Sequence, residues 1–211
     1  MLTRSADDTH KLLYPLFELM IRNLAERETA FTSNAFLVEG DRRVLVDTGA
    51  NFDVVSAIEG SVDDLDDVVV THTHPDHVGN IEAVAAAYDI DVWGYDETHE
   101  AIDAGLADGD ELALGDHTYT AVHTPGHKDD HLCLYAENPG ILFAGDLVFA
   151  NGGFGRTDLP EGDRATLIES IGRIEKLVDP SLRALHTGHG PSVTDDPYEH
   201  VALAGWMART H

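Results

Sequence analysis

Cysteine is almost missing from this chain. Its 211 residues contain one, Cys133. That excludes an internal disulfide framework and a zinc site built on thiolates. Lysine is nearly as scarce, at Lys11, Lys128 and Lys176, and Lys and Arg together number 13 against 39 Asp and Glu. The net charge of −26 repels phosphate backbones and anionic bilayers, so nucleic acid and membrane are not expected partners. No apolar run approaches the ~18 residues of a membrane span. The stretch Leu12–Ile21 contains Pro15 and Glu18 and lacks a basic flank and a small-residue cleavage site, so it reads poorly as a signal peptide. A cytoplasmic location is the expectation. With 43% hydrophobic residues the chain can bury a core. The acidic runs Asp63-Asp64, Asp66-Asp67, Asp129-Asp130 and Asp195-Asp196 read as solvated surface, and many acids with few lysines look like adaptation to high salt.

The apolar pattern predicts strands at Ala35–Glu39 and Arg43–Asp47 joined by a Gly40-Asp41 turn, then a helix over Phe52–Glu59 and a buried strand at Asp67–Thr71. A helix is predicted over His77–Tyr88, a strand at Asp91–Gly94 and a helix over Asp96–Ala104. In the second half, strands are predicted at Thr118–His123, His131–Ala136, Ile141–Ala144 and Leu182–Leu185. A helix from Asp163 or Arg164 to Val178 stops at Asp179-Pro180, and a last helix starts near Pro197. No linker divides the chain, so one domain over 1–211 is expected, with two stacked sheets and helices outside.

Thirteen histidines remain to be placed. Thr71-His72-Thr73-His74-Pro75-Asp76-His77 sets four potential ligands in six positions, directly after a predicted buried strand. Alternation puts His72 and His74 on one side of an extended segment. Imidazoles with a carboxylate suit zinc, and also iron or manganese. Three further segments end predicted strands with polar ligand types beside glycine: His123-Thr124-Pro125-Gly126-His127, Gly145-Asp146 and His186-Thr187-Gly188-His189-Gly190. Loops at one edge of packed sheets can gather such residues into one site.

The order THTHPDH, TPGH, GD and GHG, from about Asn34 to Pro191, resembles the metallo-beta-lactamase superfamily. Asp47-Thr48-Gly49 matches that family's early Asp-Thr-Gly element. Gly155-Arg156-Thr157-Asp158-Leu159-Pro160 and His131 resemble its glyoxalase II-like branch of hydroxyacyl-thioester hydrolases. The resemblance implies an α+β fold, a four-layer αββα sandwich, with a binuclear site at one sheet edge. It implies a first metal on His72, His74 and His127 and a second on Asp76, His77 and His189. Asp146 would bridge the two, with Asp47 in support behind them. The implied cofactors are two divalent ions, zinc first, iron or manganese otherwise. The implied reaction is attack by a hydroxide held between the metals on a small acyl thioester, with Asp76 as ligand and catalytic orienter. No Gly-x-Ser-x-Gly elbow offers a serine nucleophile instead.

Arg156 is the candidate for gripping a carboxylate of an anionic thioester, with His131 as a second substrate contact and pairing of Arg156 with Asp158 or Asp163 as the competing role. Roughly 20 residues follow His189, with Arg209 as their one basic residue, where glyoxalase II proper carries a basic helical domain for glutathione; this argues against glutathione as the carrier. A mononuclear-iron persulfide dioxygenase of the same fold, on His72, His127 and Asp146, is the first alternative. A β-lactamase or lactonase is the second. An RNA-processing nuclease is disfavoured by charge, and a flavodiiron protein by His74 standing where Glu would be. A non-enzymatic metal-binding module is disfavoured by the complete ligand set.

Overall fold

The computed structural model describes residues 21–211. His10, Lys11 and nearly all of the Leu12–Ile21 stretch lie outside the described residues. A six-stranded sheet contains β1 (Ile21–Asn23), β2 (Phe36–Val38), β3 (Val44–Val46), β4 (Asp67–Val69), β5 (Asp91–Gly94) and β6 (Ala104–Gly105), in that order. The β2–β3 pair is antiparallel, with Leu37 opposite Leu45, and β3 to β6 run parallel. A five-stranded sheet holds β7 (Glu111–Leu114), β8 (His117–His123), β9 (Leu132–Ala136), β10 (Ile141–Gly145) and β11 (Ala184–Thr187), ordered β11-β10-β9-β8-β7. Its β10–β11 pair is parallel and the others are antiparallel. The helices are α1 (Val54–Glu59), α2 (Pro75–Val78), α3 (Ile81–Ala87), α4 (Arg164–Leu177) and α5 (Pro197–Thr210).

Three apolar layers hold this together. Phe36, Val46 and Val69 of the first sheet meet Leu114, Leu134 and Phe143 of the second. Leu37, Leu45 and Val68, on the opposite face, pack against Ile58 of α1 and Val84 of α3. Cys133 and Leu142 pack under Leu167 and Ile171 of α4 and Val201 of α5. Both faces of the central strands are therefore covered, which is why FLV and VLV read as unbroken apolar runs. The result is the expected αββα sandwich. Among the described residues no helix is long and apolar enough to cross a membrane.

Several elements differ from the sequence reading. The helix expected over His77–Tyr88 is two helices, broken at Gly79-Asn80. Gly79 lies against Ala50, where a Cβ would come within 2.7 Å of the alanine methyl. Asn80 turns its amides to the Gly49 and Thr48 carbonyls. No helix forms over Asp96–Ala104. The Asp96 carboxylate accepts from the amide and hydroxyl of Thr98, and Asp103 bonds Val92 in both directions, drawing the segment into β6. β1 and β7 were not expected, and the strand expected at Leu182–Leu185 is β11, shifted to Ala184–Thr187.

The acidic runs divide. Asp63, Asp64, Asp129, Asp195 and Asp196 are exposed. Asp66 pairs with Arg43, Asp67 with Arg42, and Asp130 is buried. The exposed set motivates a prediction: the melting temperature should rise from dilute buffer into molar KCl, where the Debye length is about 3 Å and carboxylate self-repulsion is screened. A melting temperature that peaks in dilute buffer would contradict it.

Candidate metal centre

Strand direction concentrates polar residues at one edge. β3 and β4 are parallel, β8 and β10 each oppose β9, and β11 follows β10. The segments leaving the C-terminal ends of β3, β4, β8, β10 and β11 carry Asp47, His72 to His77, His127, Asp146 and His189.

These side chains form two groups. In the first, His74 Nδ1 lies 3.0 Å from His72 Nε2 and 3.0 Å from His127 Nε2. In the second, His189 Nε2 lies 3.1 Å from Asp76 Oδ2, and His77 completes the cluster. Asp146 stands between them. Its Oδ2 is 3.4 Å from His127 Nε2 and 3.5 Å from His189 Nε2, and its Oδ1 is 3.5 Å from His77 Nε2. His77 and His127 are buried, with 0% and 3% of the side chain exposed, whereas Asp76 at 15% and His189 at 33% open to solvent.

Hydrogen bonds behind the rings fix which nitrogens face the cluster. Asp47, at φ 58°, accepts from the Thr71 amide at 2.7 Å, from its hydroxyl at 2.8 Å and from His77 Nδ1 at 2.8 Å. The Thr71 hydroxyl proton is thus committed to Asp47, and its oxygen accepts from His72 Nδ1 at 3.2 Å. His127 Nδ1 donates to the Arg156 carbonyl at 2.8 Å. The Nε2 lone pairs of His72 and His127 are thereby turned inward, the usual arrangement behind metal-bound imidazole. The loops must also approach closely. At Gly188 a Cβ would lie 2.1 Å from Asp146 Oδ1, so that position excludes any side chain.

Charge is strongly perturbed here. Burial opposes protonation of His77, but Asp47 and Asp146 outweigh it and push its pKa up to about 10. Burial likewise opposes ionisation of Asp146, and His77 outweighs it, holding the carboxyl well below the usual range. His72, desolvated and beside His77, is pushed far down and stays neutral. A protonated imidazole thus supplies positive charge among acceptors, the charge a bound cation would replace.

The donor set fits a metal. Four buried side-chain polar atoms lack a hydrogen-bond partner among the described residues, and two of them, His77 Nε2 and Asp146 Oδ1, lie 3.5 Å apart inside this cluster without bonding; a third, His74 Nε2, is the ring nitrogen turned away from His72 and His127. Unpaired buried polar atoms are costly, so their concentration here points to a missing partner. Imidazole and carboxylate without thiolate suit zinc, iron or manganese.

The remaining candidates sit elsewhere. His131 is fully buried; its Nε2 accepts from the Asp146 amide at 3.0 Å and its Nδ1 faces Thr124 Oγ1 at 2.8 Å, with burial pushing its pKa down to about 3. It lies behind Asp146 and is closed to solvent. The Arg156 side chain is 61% exposed and forks onto Asp158 at 2.6 and 2.7 Å. Cys133 is buried with its thiol pushed up to about 12, a core residue. His186 is wedged against Phe36 and Phe143 and bonds Ser192, and His123 stacks on Tyr95. The sequence reading missed Asn34, whose side chain donates to the carbonyls of Thr187 and Gly190 beneath His189, and Asp130, which bonds Thr73. A polar residue just before a buried strand was the available signal for Asn34.

The model of the metallo-beta-lactamase superfamily matches residues 29–189. A hydroxyacylglutathione hydrolase of Chromohalobacter salexigens is 36% identical over 151 residues, which are 71% of this chain and 57% of that protein. This chain therefore spans little more than half the length of that relative. The hydroxyacylglutathione hydrolase GloC of Haemophilus influenzae is 31% identical over 191 residues, covering 79% of this chain and 89% of that one. A crystal structure of TTHA1623 in a di-iron-bound form superposes with a TM-score of 0.64 at 28% identity, covering 81% of this chain and 91% of that one.

Proposed function

The chain belongs to the metallo-beta-lactamase superfamily, and from that premise we propose that it is a metal-dependent hydrolase cleaving a small acyl thioester. One observation carries this reading: two clusters of donor atoms share a single buried carboxylate, Asp146. The similarity to hydroxyacylglutathione hydrolases and to a di-iron-bound structure supports it. His72, His74 and His127 would hold one divalent ion and Asp76, His77 and His189 the other, zinc by choice of donors, with iron or manganese as alternatives. Two such ions would supply a water activated at neutral pH and an electrophile for the acyl carbonyl.

The chain's own residues do the positioning. Substrate would reach the site past His189, Asp76 and His74, the members of the two ligand groups that are not buried. The Phe31 ring stacks on His189 with centroids 6.1 Å apart and is 76% exposed, so it forms an apolar lip at that mouth. Asp76 Oδ2, held against His189, can accept a proton from the attacking water. His131 keeps the Asp146 backbone in place from behind. A panel of small thioesters assayed in molar salt with metal present tests this: turnover of at least one member is expected. Absence of turnover across the panel by metal-loaded protein would overturn the reading.

Arg156 determines whether the substrate is anionic. To grip a carboxylate it must exchange Asp158 for the ligand. Arg156→Ala is then expected to raise KM for an anionic thioester by about 10-fold, the lower end for a charge-assisted bond because the site is exposed, with kcat little changed. A neutral thioester should be unaffected. Equal losses on both substrates would assign Arg156 to its ion pair with Asp158.

A further inference from the structure

Asp130 departs from the acidic surface around it. Asp129 is exposed, whereas Asp130 is 4% exposed and its carboxylate points inward. There it accepts from Thr73, the residue between His72 and His74. The Thr73 amide donates to Oδ2 at 3.2 Å, and the Thr73 hydroxyl donates to the same oxygen. Lys128 Nζ sits 3.6 Å from that oxygen and 3.2 Å from Asp129 Oδ1. Two residues further on, the Leu132 amide donates to the Thr71 carbonyl at 2.7 Å. The segment after His127 therefore grips the His72 loop on both sides of His72, at Thr71 and at Thr73. These contacts join the two sheets at the site, since Thr71 and Thr73 follow β4 and Asp130 precedes β9.

We propose that Asp130 is a positioning residue that sets the spacing of His72 and His74 from His127. Alternation explains how. In an extended segment His72 and His74 point one way and Thr73 the other. A hold on Thr73 from its own side fixes the backbone between the two imidazoles while leaving both rings free to face the cluster. Asp130 lies three residues after His127, so one short loop carries the third ring of the group and the anchor for the other two. A carboxylate suits this task because it accepts two bonds on one group, and charge-assisted bonds are the stronger kind. The inference rests on the reading of His72, His74 and His127 as one metal's ligands, and adds a residue that touches no metal.

Titration of the metal-free protein with Co(II), followed by its visible absorption and by competition with a chelator, tests this. Asp130→Ala is expected to weaken the tighter binding step roughly 10- to 100-fold, the usual range for losing a residue that orients a ligand, and to alter the spectrum. Thr73→Ser should behave as the parent, and Thr73→Val, which keeps the amide bond and loses the hydroxyl bond, should fall between. Circular dichroism of the metal-free variants reports folding separately. A folded Asp130→Ala protein with parental affinity and spectrum would overturn the proposal. So would a lowered melting temperature with unchanged binding, the mark of a purely structural role. If Asp130→Ala does not fold, Thr73→Val decides, and parental binding there overturns it. His74→Ala runs beside these: parental Co(II) binding in that variant would sink the ligand reading itself, whereas its loss alongside unchanged Asp130→Ala sinks the anchor alone.

Discussion

Asp146→Asn is expected to lower thioester turnover by at least ~10²-fold, the scale seen when a positioned electrostatic group is removed. The substitution keeps the shape and removes the charge. Asp146 lies within 3.4–3.5 Å of His77, His127 and His189 and so reaches members of both donor groups. His77 holds its carboxyl well below the usual range, so it is ionised throughout the neutral region. Two cations brought close together need negative charge between them, and an amide supplies none while presenting an N–H where a lone pair is required. The loss should appear in metal stoichiometry as well as in kcat. A variant that binds metal and turns over as the parent does would remove Asp146 from the centre of the site.

His74→Ala is expected to reduce turnover to background and to lower metal content, with the fold intact. His74 Nδ1 sits 3.0 Å from both partner imidazoles, so the first group loses a third of its donors. The fold has little at stake, because among the described residues no hydrogen bond ties the His74 ring to anything outside the cluster and its Nε2 is unpartnered. His74 precedes α2 without a side-chain cap, and Pro75 starts that helix whatever side chain stands before it. Metal analysis after dialysis, with circular dichroism on the same samples, checks both halves. Retained metal and activity would show that the three rings do not act as a set.

The sandwich was legible because its strands are covered on both faces and so read as continuous apolar runs, and because the helices α4 and α5 carry clear boundary residues, Asp163 and Pro197. The ligand-bearing segments were legible because each combines a strand end with glycine and imidazole or carboxylate. What the sequence concealed depends on partners far along the chain. Gly79-Asn80 breaks a helix because Ala50 and the Thr48 and Gly49 carbonyls lie against it. Asp96 diverts its segment into a turn through Thr98, although the local pattern suits a helix. β1 and β7 are short edge strands whose pairing depends on neighbours. Asp130 looks like its solvated neighbour Asp129 until the fold brings Thr73 to it. His131 looks like a substrate contact until its two nitrogens are seen to be bonded to Thr124 and to the Asp146 amide.

The central claim is that one carboxylate serves two metals. Anomalous X-ray diffraction from crystals of the metal-loaded protein tests it most directly. Two peaks are expected about 3.5–4 Å apart, as in two-metal hydrolytic sites, one among His72, His74 and His127, the other among Asp76, His77 and His189, with Asp146 contacting both. A single peak, or two peaks neither of which touches Asp146, would contradict it.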